Sequence, residues 1–148
     1  MLDGTARMTI RTTTNTTILI MGLFSFLFGC SKQDTATTFP SDENGDILRQ
    51  MAAQGDDFSK PRDINFSFVF PTESDGKAFV EQVQAMPGLK AEGPSFPDEL
   101  KKWDTTVTKN MLPTHQDITA LEQSLSRIAE SHSGKADGWG CFVVKKSK

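Results

Sequence analysis

The side chains able to do chemistry are few. The sequence holds two cysteines, Cys30 and Cys141, and two histidines, His115 and His132. Both histidines fall on one predicted helix, about four and a half turns apart, too far to share a metal ion. No Cys/His spacing follows a zinc pattern. His132, near the end of that helix, is placed to interact with the helix dipole. Cys141 has no histidine nearby in sequence. It lies on a predicted strand beside Phe142 and reads as a buried, inert thiol. The acids are scattered over predicted caps and exposed faces, so no paired-carboxylate site can be assembled. Asp137-Gly-Trp-Gly140 has too few glycines, in the wrong setting, for a phosphate loop. These residues point away from an enzyme, and no metal, cofactor or small-molecule ligand is expected.

Cys30 has a different chemistry in view. A polar start carrying Arg7 and Arg11 is followed by an uncharged apolar run, Ile18 to Phe28. That run is shorter than the roughly 20 residues of a spanning helix. It has the length of a signal-peptide core behind a positive n-region, with Met1 or Met8 as the start. It ends Leu27-Phe28-Gly29-Cys30, which resembles the lipobox of bacterial lipoproteins: Leu27 three positions before the cysteine, the small Gly29 just before it, and Cys30 as the lipid-bearing residue. The thiol takes a diacylglycerol as a thioether. The resemblance implies a signal peptide over residues 1–29 and a lipidated cysteine with a flexible tether over 30–40, rich in Ser, Thr, Gln and Asp. The domain behind it would face the periplasm from a bacterial envelope membrane. Ser31 rather than Asp after Cys30 resembles the pattern of lipoproteins sent to the outer membrane.

The folded part is expected over residues 41–148. The net charge is −3; residues before Cys30 contribute +1 through Asp3, Arg7 and Arg11, which leaves −4 for the rest. An acidic domain does not attract phosphate backbones, so nucleic acid is an unfavourable partner. With Cys30 lipidated, Cys141 has no intrachain partner, and the fold depends on its hydrophobic core.

The elements follow from periodicity. Ser41 can cap a helix that buries Ile47, Leu48, Met51 and Ala52 and stops at Gly55. Ile64 to Phe70 alternates, with Ile64, Phe66, Phe68 and Phe70 on one face and Asn65, Ser67 and Val69 on the other. Thr72 and Asp75 open a second helix with a stripe of Phe79, Val83 and Met86, ended by Pro87-Gly88. Leu89 and Ala91 suggest a short strand, Gly93 to Pro97 a loop, and Glu99 to Lys102 a helical turn. Trp103 to Thr108 is β-prone. Thr114 and Asp117 start a third helix with a stripe of Ile118, Leu121, Leu125, Ile128 and Ala129, stopped by Gly134. Asp137-Gly138 is expected as a turn opening a last strand, Trp139 to Val144, in which either Trp139 packs inward and Gly140 permits a close backbone approach, or Trp139 stands exposed as a contact anchor. The order, a helix and then βαββαβ, is the ferredoxin-like arrangement: α+β, an antiparallel sheet with its main helices on one face.

Several of these segments also resemble one family. Asp46-Ile47-Leu48, Gly55-Asp56-Asp57-Phe58, the Phe-rich strand, Met111-Leu-Pro-Thr114 and, above all, Ala136-Asp137-Gly138-Trp139-Gly140 resemble the RraB family of ribonuclease E regulators. The resemblance implies a non-enzymatic module that acts by binding a protein. This chain departs from the pattern in ending Lys145-Lys-Ser-Lys148, without an acidic tail, and in carrying the lipobox. Ribonuclease E works on the cytoplasmic side, so it is the expected partner only of a chain that is not exported. An exported one implies an unidentified envelope protein.

Overall fold

The Phe-rich segment is the middle of the sheet. In the computed structural model the described residues are 7–9 and 39–146. Leu27, Gly29, Cys30 and nearly all of the tether therefore lie outside them. The elements are β1 (Arg7–Thr9), α1 (Glu43–Ala53), β2 (Arg62–Phe70), α2 (Glu73–Gln84), β3 (Lys90–Ser95), β4 (Trp103–Met111), α3 (His115–Ser131) and β5 (Lys135–Phe142). All pairings are antiparallel, in the order β1-β5-β2-β4-β3. Leaving aside the three residues of β1, which run along β5 within the stretch assigned above to a signal peptide, this is the expected ferredoxin-like βαββαβ sheet.

Alternation in β2 decides which side is core. Ile64, Phe66, Phe68 and Phe70 are fully buried beneath the helices, joined by Phe79 and Val83 of α2, Ile118, Leu125 and Ala129 of α3, and Val107 of β4. The Phe79 ring lies 5.1 Å from both Phe68 and Phe70. The opposite face carries Asn65, Ser67, Thr106 and Thr108, with the Thr108 hydroxyl donating to Asn65 Oδ1 at 2.8 Å. α2 packs over β3 and β4, α3 over β5, and α1 against α3. Ile47, Leu48 and Met51 of α1 enter the same core.

The helix starts follow from side-chain caps. Thr72 and Thr114 accept from the backbone N–H of Asp75 and Asp117, and each hydroxyl also donates to the carboxylate three residues on. In α1 the cap is Asp42 rather than Ser41. Its carboxylate reaches the Gly45 N–H at 2.7 Å from an extended backbone, the geometry a cap demands. Ala52 is exposed, so the buried stripe of α1 ends at Met51.

Other boundaries move for identifiable reasons. α2 stops at Gln84, which leaves Met86 half-buried beyond the helix. β3 continues through Gly93-Pro94 to Ser95 across a shift in its register with β4, and β4 runs on to Met111. Residues 97–101 form a turn, closed by the Leu100 N–H on Pro97 O at 3.0 Å. Asp137-Gly138 is no turn. β5 begins at Lys135, and Ser67 faces Gly138 while Phe68 faces Ala136, so Asp137 is the extra residue of a bulge. Gly138, with φ 114°, supplies the backbone conformation the bulge requires. Gly134 follows the end of α3 as expected, and it has a packing role as well. Ser133 takes the positive φ, 60°, and a Cβ on Gly134 would collide with the Phe70 ring.

Candidate functional site

Trp139 organises the junction of α1, α3 and β5. Its position opposite Phe66 turns the indole into the core, where it is 1% exposed. A buried indole N–H requires an acceptor. It donates to Asn44 Oδ1 at 2.6 Å. The Asn44 amide then donates to Thr119 Oγ1 and to Glu122 Oε2, both at 3.0 Å. One chain of polar contacts thus links the last strand to α1 and to α3.

A cleft of about 270 Å³ opens beside this chain, lined by Glu43, Asn44, Asp46, Ile47, Gln50, Glu122, Ala136, Gly138 and Trp139. A shallower groove continues past Glu43 and Glu122 toward Gln123, Ser126, Arg127 and Glu130. The surroundings are acidic. Burial pushes the Glu122 carboxyl above the usual carboxylate range; the Asn44 hydrogen bond opposes this, and the charges of Glu43 and Asp42 add to it. Asp42 is shifted downward, first by the Gly45 N–H and then by His115, whose Nε2 lies 2.8 Å from it. Asp46 is paired with Arg49.

Of the motif Asp137-Gly138-Trp139-Gly140, the structure brings Gly138 and Trp139 to the cleft, puts Asp137 in the bulge, and sets Gly140 opposite Asn65. Asp46 and Ile47, from another segment that carries the family resemblance, line the same cleft. The histidines are apart as expected: His115 bridges to Asp42, and His132, the C-cap of α3, lies 2.9 Å from Gln82 Oε1. Among the described residues, no three His, Cys, Asp or Glu side chains are grouped as a metal site would require, and no helix is long and apolar enough to cross a membrane.

Sequence reasoning missed Asn44 and Glu122, although a signal existed. Asn44 heads the spacing of Ile47, Leu48 and Met51, and Glu122 falls between Leu121 and Leu125. A polar residue inside an apolar stripe marks a buried hydrogen bond. It also missed the buried ion pair between Asp56 and Arg62.

Cys141 is buried on the core side opposite Ile64, and burial pushes its thiol up to about 11. An exposed-thiol reagent is expected to label Cys141 slowly in the native chain and at once in denaturant. Rapid native labelling would put the sulfur at the surface.

A family model described as Regulator of ribonuclease activity B matches residues 41–141. No curated protein matches the chain.

Proposed function

The chain belongs to the RraB family, and on that premise we propose that it is a regulator module that binds a protein and performs no chemistry itself, presented at a bacterial envelope membrane by a lipid on Cys30. The family match over most of the chain carries the protein-binding part. The address rests on the sequence Leu27-Phe-Gly-Cys30 behind its apolar run. Export separates the domain from ribonuclease E, so the partner is an envelope component. A nucleic-acid reading has less support. The helix-free sheet face presents Asn65, Ser67, Thr106 and Thr108 rather than a stacking platform, although Phe142 is exposed at β5.

The family description, a regulator of ribonuclease activity, supports a second reading, in which the chain is a ribonuclease E inhibitor acting by contact inside the cell. A periplasm-dependent reporter fused after Lys148 in the native host separates the two, combined with the decay of ribonuclease E-dependent transcripts. An active reporter and unchanged transcript lifetimes are expected, with Cys30→Ser leaving an unprocessed precursor. A silent reporter with stabilised transcripts on overexpression would replace the envelope reading by the inhibitor.

A further inference from the structure

We infer that the cleft between α1, α3 and β5 receives a cationic side chain, an arginine or lysine, of the protein partner. The inference deepens the protein-contact reading and rests on it. Its first support is shape and lining. Ile47, Ala136 and Trp139 offer apolar surface that the methylene stem of a long basic side chain can cover, while carboxylates stand where its charged head would arrive.

The second support is unpaired charge. Glu43 and Glu122 come from different helices and line both the cleft and the groove that continues it. Among the described residues neither carboxylate has a cation within ion-pair distance. Arg49 is already engaged by Asp46 and by the carbonyls of Phe39 and Pro40. Arg127 lines the groove beyond Glu122 without pairing to it.

The third support is positioning. Asn44 holds Glu122 with the same side chain that holds Trp139, so the carboxylate is fixed against the cleft instead of swinging in solvent. Uncompensated negative charge in a partly desolvated site attracts a cation more strongly than an exposed carboxylate does. The −4 charge of the chain from Cys30 onward favours encounter with a basic surface.

The test is a titration of the full chain with N-acetyl-arginine methylamide and with its neutral citrulline counterpart, read in nitrogen–proton correlation spectra. The arginine compound is expected to shift the Trp139 indole N–H and the Asn44 side-chain amide saturably, and the citrulline compound to leave them in place. Glu43→Gln with Glu122→Gln should weaken the arginine response at least ~10-fold. Gln at 122 keeps an acceptor for Asn44. It also removes a carboxylate that folding disfavours, so the variant should melt no lower than wild type at neutral pH. Its advantage should fade as the pH falls toward 4.5 and Glu122 takes up a proton. If the double variant melts lower, Glu43→Gln alone, at an exposed position, decides the matter. Equal shifts with citrulline, arginine shifts confined elsewhere, or an undiminished response in the Gln variants would overturn the inference. Crosslinking wild type and the Gln variant in the native host separates the two levels. Loss of a wild-type protein contact in the variant supports both. A contact that survives unchanged overturns the cleft inference and leaves the protein-contact reading standing. Saturable arginine binding by a chain that contacts no protein overturns the reading itself.

Discussion

Arg62→Ala is expected to cost about 3–5 kcal/mol of folding stability, the loss seen when one partner of a buried ion pair is removed. Arg62 is buried, and its Nη1 donates to Asp56 Oδ2 at 2.5 Å. The rest of the guanidinium is used on backbone: Nη2 donates to Asp57 O at 2.6 Å and to Lys60 O at 3.1 Å, and Nη1 to Phe142 O at 3.2 Å. Asp56 is 3% exposed, and its Oδ1 has no hydrogen-bond partner among the described residues. Its Oδ2 also accepts from the Val144 N–H at 3.1 Å. Removing the arginine leaves that carboxylate in the interior with one backbone donor, and takes a guanidinium donor from the Asp57, Lys60 and Phe142 carbonyls at the junction of the α1–β2 loop with the end of β5. Urea melts should show a lower midpoint with an unchanged slope. Asp56→Ala should cost a comparable amount, and the double substitution less than the two losses added, because the penalty in each single variant is the stranded charge. A loss below about 1 kcal/mol in Arg62→Ala would mean that water reaches the pair.

Phe68→Ala is expected to cost about 3–5 kcal/mol as well, for a different reason. The side chain is fully buried and packs on Phe79, which also contacts Phe70, so truncation opens a cavity among rings unable to close it without moving the sheet. Asn65→Ala, three residues earlier on the opposite face, removes one half-buried hydrogen bond to Thr108 and should cost only about 0.5–1.5 kcal/mol. Comparable small losses at both positions would show that Phe68 does not lie in the core.

The alternation that separates these two residues was legible because a strand places neighbouring residues on opposite faces. Thr72 with Asp75 and Thr114 with Asp117 were legible for a similar reason: a cap is satisfied within four residues, so its pattern is local. What escaped depends on distant chain. The bulge at Asp137 exists because Ser67 and Phe68 pair with residues on either side of it. The demand for glycine at 134 comes from the Phe70 ring, and neither strand announces the other. The candidate cleft divides in the same way. Trp139 could be read as a packed residue, whereas its hydrogen bond to Asn44 spans from the last strand to the first helix of the domain. Glu122 looked like one more acid on a helix; only the packing of α1 against α3 sets it beside Glu43.

The β3 side of the sheet bears on how these molecules behave when crowded. Among the described residues the only strand bordering β3 is β4, so its other side is an edge row of backbone groups, with the Gln84 side chain donating to the Ala91 carbonyl of the strand at 3.2 Å. Such rows invite a second molecule to add a strand, and from there to polymerise. Here the row is short, begins with Lys90, and is broken where its register shifts between Glu92 and Ser95. Pro94 withholds a donor in the middle of that break. A neighbouring copy approaching this side would meet a missing hydrogen bond, a bent backbone and a positive charge within six residues, so a high local density of the domain need not end in aggregation.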